Sequence, residues 1–457
     1  MIKDIIARSR VAQVSYETGG SQERYDRAAA AVAWAIMEPA RNRELAELAV
    51  ETTGLGNVPD KITKNHRKTL GLMRDIKGAA TFGVISDDPG TGITEIARAK
   101  GVVGAIVPST NPAATPANNI INALKCGNSI VLAPSPKGVA CAERLLEFVH
   151  AEFAKIGEDP DLVQMIPAPG SKEKTQALME GCDMIVATGS QNNVHRAQTA
   201  GTPAVAVGAG NVTVIVDETA DLAAAAEKIR ASKCFDNATS CSSENAVVVV
   251  DAVYDAFVAA MAKAGGAVVE DEAGIIAKLW PDGHLNRSVI AQDADKMIAA
   301  LGLDVPEGTE YVAVPTAGIG PDHPLSGEKL SRVLALYRAA DFDAAVATAD
   351  TIQRHQGAGH SVGLHTTTSD RPMVLATKIP TSRVIVNQAH TFATGGSFTN
   401  GMPFSLSMGC GTWGGNSVNE NVNYRHFLQS TKIVREIPAR EPTLEEIFND
   451  YWGTAGQ

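Results

Sequence analysis

The chain has 457 residues, 44% of them hydrophobic and 20% charged, an ordinary globular balance at a length that implies two or three domains. Its 40 Lys and Arg against 51 Asp and Glu leave a net charge of −11, so no basic surplus exists to neutralise phosphates and a nucleic-acid binder is excluded. No apolar run approaches the ~20 residues of a membrane span, and the amino terminus, Met1-Ile-Lys-Asp-Ile-Ile-Ala-Arg, carries charges where a signal peptide needs an apolar core. The expectation is a cytoplasmic protein with no membrane partner.

Residues 23–80 read as helices, with apolar positions at three- and four-residue spacing (Ala28, Val32, Ile36, then Leu45, Leu48, Ala49). Residues 82–98 are two short strand-like pieces around a Pro-Gly turn, a hairpin signal. From Gly101 to about Val216 strands and helices alternate: strand Val102–Val107, helix Ala117–Lys125, strand Ser129–Leu132, helix Gly138–Phe153, then strands Met184–Val186 and Val205–Val207. A second alternating set runs from Leu222 to about Ala389, with strands Ala246–Val250, Val333–Tyr337, Val362–His365 and Val384–Val386. Strands alternating with helices predict an α/β fold of two doubly wound parallel sheets. The segment 416–457 is largely polar until Ile433–Ile437, a short strand-like piece. It is expected to act as an arm that pairs with the 82–98 hairpin of a neighbouring subunit, which makes the protein a homodimer or homotetramer.

The six cysteines, at positions 126, 141, 182, 234, 241 and 410, form no C-x-x-C pair and have no histidine at metal-ligand spacing, so no metal site is expected. A lone cysteine is by default a small buried hydrophobe. Cys241 differs: the polar run Phe235-Asp-Asn-Ala-Thr-Ser-Cys-Ser-Ser-Glu-Asn245 separates an amphipathic helix from the Val-rich strand, a setting suited to a nucleophile. Two further segments follow predicted strands, where an α/β sheet lines its ligand crevice. In Pro108-Ser-Thr-Asn-Pro112 the Asn111 amide is a possible oxyanion donor, although Asn-Pro is also simply a turn former. In Ala187-Thr-Gly-Ser190, Thr188, Gly189 and Ser190 open a helix whose amino terminus suits a pyrophosphate, and a plain strand-to-helix turn explains them equally well. The dinucleotide fingerprint G-x-G-x-x-G is absent.

The Cys241 run resembles the active-site segment of the aldehyde dehydrogenase superfamily, in its coenzyme-A-acylating branch, and the resemblance extends roughly from Ala28 to Arg435. Asn111 and the Thr188–Ser190 loop match the family's oxyanion asparagine and cofactor loop. Glu328, in Glu328-Lys-Leu-Ser-Arg332, matches the residue that holds the nicotinamide ribose, though alone it reads as a solvated charge at a strand start. Gly359-His-Ser-Val-Gly and Met408-Gly-Cys-Gly-Thr-Trp-Gly-Gly-Asn416 are similar to segments of the acylating branch, with His360 and Cys410 read as structural. The hydrolytic branch carries a water-activating glutamate where this chain has Ala206, in Ala206-Val-Gly-Ala-Gly-Asn211. An alanine is no general base, so a thioester on Cys241 would await the thiol of coenzyme A.

The resemblance therefore implies an aldehyde dehydrogenase-like fold with a dinucleotide-binding domain (1–220, including the oligomerisation hairpin), a catalytic domain carrying Cys241 (221–415) and a carboxyl-terminal arm (416–457). It implies oxidation of a small aldehyde to an acyl-CoA with NADP or NAD as cofactor and coenzyme A as co-substrate. NADP is favoured because Ala133-Pro-Ser-Pro-Lys-Gly138 contains no acid and offers Lys137 to a 2′-phosphate. Within the branch the chain is most similar to enzymes acting on sulfoacetaldehyde. An anionic aldehyde of that kind wants a cationic anchor, with Arg383, Arg332 and Arg196 as candidates. Acetaldehyde, propionaldehyde and succinate semialdehyde stay open as substrates, as does a non-catalytic role.

Overall fold

The computed structural model describes residues 1–455. Four helices open the chain: α1 (Ile2–Thr18), α2 (Gln22–Met37), α3 (Pro39–Thr53) and α4 (Val58–Ile76). Local chemistry sets their starts. The side chains of Ser21 and Asn57 accept backbone N–H groups of Arg24 and Asp60 at the heads of α2 and α4, and α3 begins on a proline, whose missing N–H is harmless in a first turn. The predicted hairpin follows as β1 (Val84–Asp88) and β2 (Ile93–Ala99), paired antiparallel.

Next come β3 (Val102–Val107), α5 (Ala114–Lys125), β4 (Ser129–Pro134), α6 (Val139–Ile156), β5 (Val163–Met165), α7 (Lys172–Gly181), β6 (Met184–Thr188), α8 (Gln191–Thr199) and β7 (Ala204–Val207). The strands make a parallel five-stranded sheet in the order β5-β4-β3-β6-β7. Every residue of β3 and β4 is buried, because α2, α5 and α6 cover one face and α1, α7 and α8 the other. Strands buried on both faces must be apolar throughout, which is why they read as continuous hydrophobic runs. The strand order reverses between β3 and β6. Such a switch point leaves a crevice outside the carboxyl ends of the two strands.

The second unit contains β8 (Val212–Val216), α9 (Leu222–Cys234), β9 (Glu244–Val250), α10 (Tyr254–Lys263), β10 (Gly266–Val268), α11 (Glu272–Leu279), α12 (Ala294–Leu301), β11 (Tyr311–Pro315), β12 (Val333–Ala339), α13 (Phe342–His355), β13 (Val362–His365), α14 (Arg371–Lys378), β14 (Val384–Val386) and the short α15 (His390–Thr394). Its seven parallel strands lie in the order β10-β11-β12-β9-β8-β13-β14. Since β8 pairs with β9 and β13, the two sheets change over within residues 208–211, earlier than the expected division at 220. The chain closes with β15 (Leu428–Val434) and α16 (Leu444–Ala455).

The arm differs from expectation. β15 pairs antiparallel with β2 of its own chain, from Leu428 opposite Ala99 to Val434 opposite Ile93, and not with a neighbouring subunit's hairpin. The cause is the residue before it: Phe427 is fully buried in the core of the first unit, so the chain emerges already beside β2.

Candidate active site

The carboxyl ends of the first sheet face the amino ends of the second, and a cavity of about 400 Å³ lies between them. From the first sheet it receives Pro108–Asn111 after β3, Thr188–Ser190 after β6, and Gly208 and Ala209 after β7. From the second it receives Ser240–Ser242 ahead of β9 and Glu328 ahead of the neighbouring β12. Of the expected site residues, Cys241, Asn111, Thr188, Gly189, Ser190 and Glu328 all line this one cavity. Lys137 does not: it is exposed on the short turn between β4 and α6, and its ammonium donates to the Thr53 carbonyl at 3.4 Å.

The loop that presents Cys241 is held in an unusual conformation. Asp236, Asn237 and Ala238 all have positive φ (48°, 55° and 60°), a left-handed run that costs non-glycine residues roughly 1–2 kcal/mol each. Buried partners enforce it. The Asp236 carboxylate accepts from Lys61 (3.1 Å), Lys64, Thr239 (2.8 Å) and the Asn57 backbone (3.1 Å). The Asn237 amide is clamped between Asp293 (2.9 Å) and Arg332 (2.6 Å). Close backbone packing completes the loop: a Cβ on Gly210 would sit 2.3 Å from the Cys241 carbonyl oxygen, so only glycine fits there.

Asn111 is oriented from α4. The Lys64 ammonium donates to its Oδ1 at 2.9 Å, and an ammonium can only donate, so the amide must present oxygen to Lys64 and keep both Nδ2 hydrogens for the cavity. The Cys241 backbone N–H, among the described residues, has no carbonyl acceptor. Two donors and a thiol thus bound one space, the elements required to stabilise an oxyanion formed on attack by sulfur. Near the β6 end, Ser190 caps α8, and Ser135, also lining the cavity, has a buried hydroxyl without a hydrogen-bond partner.

The aldehyde dehydrogenase family model matches residues 2–275. An acylating sulfoacetaldehyde dehydrogenase from Cupriavidus necator is 54% identical over 457 residues, covering 99% of this chain and 92% of that protein. This chain belongs to the aldehyde dehydrogenase family. A second acylating sulfoacetaldehyde dehydrogenase, from Bilophila wadsworthia, is 40% identical over 446 residues, covering 96% of each chain. Among solved structures, an acetylating aldehyde dehydrogenase from Geobacillus thermoglucosidasius superposes with a TM-score of 0.92 at 29% identity, covering 97% of this chain and 98% of that one. The predicted two-unit α/β family fold is therefore correct.

Within this aldehyde dehydrogenase the charges of the cavity are distinctive. Among its described lining residues Glu328 is the sole acid, and Ala206 turns its side chain into the apolar layer with Ile106 and Ala187, so the end of β7 supplies no carboxylate. Burial raises the Glu328 carboxyl to about 8, against the pull of Lys233 and Lys329. Burial, with the Glu328 charge second, pushes the Cys241 thiol up to about 12, so at rest Cys241 is a protonated thiol and not a thiolate. His360 donates or accepts at Ser361 (2.7 Å) and is held neutral by burial and by Arg383, down to about 3. Cys410 is buried.

The three arginines expected to anchor an anion are all engaged elsewhere. Arg383 spends itself on Asn421 and the carbonyls of His360 and Gly409 (each 2.9 Å), Arg332 holds Asn237, and Arg196 binds the Lys172 carbonyl at 2.7 Å. The cations that do line the cavity are Lys64, Arg67 and Lys68 of α4. Their three- and four-residue spacing on one predicted helix was a readable signal of a shared basic face, as was the acid Asp236 within the Cys241 run.

Proposed function

We propose that this enzyme oxidises sulfoacetaldehyde to sulfoacetyl-CoA, using NADP or NAD and coenzyme A, through a thioester on Cys241. The substrate rests on the 54% identity to the acylating sulfoacetaldehyde dehydrogenase over nearly the whole chain. The observation that carries the reaction is the convergence of Cys241, Asn111 and the Thr188–Ser190 turn on one cavity whose β7 edge has no carboxylate.

Sγ of Cys241 releases its proton to water and, as the thiolate, adds to the aldehyde carbon to form the thiohemiacetal oxyanion. Nδ2 of Asn111 and the Cys241 N–H hold the oxygen, and Lys64 keeps the amide pointed. A bound nicotinamide supplies the hydride acceptor. The residues suited to hold it are Ser135, Thr188, Gly189 and Ser190 at the ends of β4 and β6, with Glu328 facing them across the cavity. Loss of the hydride leaves a thioester on Cys241. With no base at Ala206 to activate water, the thiolate of coenzyme A takes the acyl group and frees Cys241. Labour divides with the sheets: the five-stranded unit holds the dinucleotide and the seven-stranded unit presents the nucleophile.

The free state of all six thiols supports work in a reducing compartment such as the cytoplasm, and no helix of the described residues is long and apolar enough to cross a membrane. The apolar residues Ile433, Val434, Ile447 and Tyr451, left exposed on β15 and α16, support assembly into a dimer or tetramer. The test is reduction of NADP and of NAD by purified protein over a panel of aldehydes, with and without coenzyme A, with the acyl-CoA identified by mass. Turnover that requires coenzyme A, yields sulfoacetyl-CoA and vanishes in Cys241→Ala is the expected result. Equal turnover without coenzyme A would mean that water deacylates the enzyme and would overturn the reading.

A further inference from the structure

Several cations of this chain are already neutralised or spent on hydrogen bonds. Lys61 and Lys64 share Asp236, Arg24 pairs with Glu158 at 2.7 Å, and Arg383 is spent on carbonyl and amide oxygens. Arg67 is different. It lies one turn beyond Lys64 on the same side of α4 and lines the cavity that holds Cys241. Only its Nη2 is used, donating to the Phe392 carbonyl (3.1 Å) and Ser397 Oγ (3.3 Å). Nε and Nη1 have no partner among the described residues, and no carboxylate comes within ion-pair distance. Burial lowers the Arg67 pKa with no acid offsetting it.

The guanidinium is positioned without being neutralised. The rings of Phe392, Phe398 and Phe404 stand 5.0, 5.9 and 5.5 Å from it, and aromatic faces attract a cation while leaving its charge in place. Lys68 adds a second cation beside it. Its ammonium donates to the carbonyls of Gly395 (2.6 Å) and Ser405 (3.1 Å), and burial, then Arg67 and Lys64, push it down to about 7. This end of the cavity is therefore positive and short of one anion, with Nε and Nη1 of Arg67 left as free donors.

We propose that Arg67 forms the subsite for the anionic group of the aldehyde substrate, its uncompensated charge and a free N–H meeting an oxygen of a sulfonate while Cys241 takes the carbonyl carbon. The proposal rests on the acylating reading of Cys241 and adds the residue that selects the substrate. A sulfonate oxygen that accepts from Nε–H or Nη1–H makes a charge-assisted hydrogen bond, roughly twice as strong as a neutral one. A neutral aldehyde of the same length makes no such bond and leaves the guanidinium without a counter-charge, so a site that pairs a polar group discriminates against it.

The test compares kcat/KM for sulfoacetaldehyde, succinate semialdehyde and propionaldehyde in the wild type, Arg67→Met and Arg67→Lys. The ratio of sulfoacetaldehyde to propionaldehyde is expected to fall about 10- to 100-fold in Arg67→Met, the loss of a charge-assisted pair, and less in Arg67→Lys, which keeps the charge. Succinate semialdehyde falling in parallel would assign the subsite to small anions in general. An unchanged ratio overturns the proposal, as does a rise in the KM of coenzyme A alone, which would give Arg67 to that molecule's phosphates. A second measurement does not need turnover: calorimetric binding of 2-hydroxyethanesulfonate, whose Kd is expected to rise by the same factor in Arg67→Met. If no aldehyde yields an acyl-CoA, the acylating reading fails, and the calorimetry still decides the subsite; equal Kd values, or no saturable binding to the wild type, would refute it.

Discussion

A thiol held at about 12 should be slow to alkylate, and the size of the effect follows from the site. An ordinary cysteine near 8.5 is about 10% thiolate at pH 7.5, whereas a group at about 12 is ionised to only about 3 parts in 10⁵. That is roughly a 3000-fold deficit in the reacting species. A more basic thiolate is also a better nucleophile, with a Brønsted slope of about 0.4–0.5, which returns about 40-fold over this interval. The net expectation is alkylation of Cys241 by iodoacetamide about 10²-fold slower than free cysteine at pH 7.5, rising about tenfold per pH unit from about 7 to 10. The other five thiols are buried, so the signal belongs to Cys241, and Cys241→Ala provides the blank. The sign of the Glu328 contribution is also testable. Its carboxyl ionises near 8, so below that pH it carries little charge, and Glu328→Gln should accelerate alkylation only above it. A plateau below pH 9, or a rate within a factor of ten of free cysteine, would refute the assignment of a protonated resting thiol.

Two further substitutions probe the frame around the nucleophile. Lys64→Met frees the Asn111 amide to rotate and should lower kcat about 10- to 100-fold, the loss of one well-aimed donor to a charged oxygen, with a smaller change in KM; equal kcat in steady-state assays would show that Asn111 needs no guide. Gly210→Ala puts a methyl 2.3 Å from the Cys241 carbonyl oxygen, so the loop must move. Turnover should fall by at least about tenfold, since misplacement of a reacting group by an ångström costs up to about 10²-fold, while circular dichroism stays native; retained turnover would show that the Cys241 backbone tolerates displacement.

Much of this architecture was legible because its physics is local. The strands of both sheets are buried on both faces, and the all-apolar runs at Val102–Val107 and Ala246–Val250 announce that directly. Cys241 stood out because a polar run between a helix and such a strand is costly unless it is used. What stayed hidden depends on contacts far apart in sequence. The approach of Lys64 to Asn111 spans 47 positions and that of Lys61 to Asp236 spans 175, and no periodicity encodes either. The anchoring arginines were misjudged for the same reason: a sequence gives a cation's position and not whether carbonyls have already claimed it, as they have for Arg383. The carboxyl-terminal strand found its partner in its own chain because Phe427 is buried in the core just before it, a fact invisible until the core is assembled.

One buried carboxylate joins these hidden contacts into a single device. Burial alone would raise the Asp236 carboxyl, yet Lys64 and Lys61 hold it below its ordinary range, so it is ionised wherever the enzyme is folded and active. From one side it fixes the left-handed turn that carries Cys241, and from the other it fixes the ammonium that aims Asn111. Cys241 and Asn111 come from the loops of different sheets, and each would otherwise drift with its own loop. Tying both to Asp236 makes their separation a property of the buried ion cluster. The cluster uses the charge of Lys61 and Lys64 in doing so, and this leaves Arg67, a turn further along α4, as the cation still free to meet a substrate.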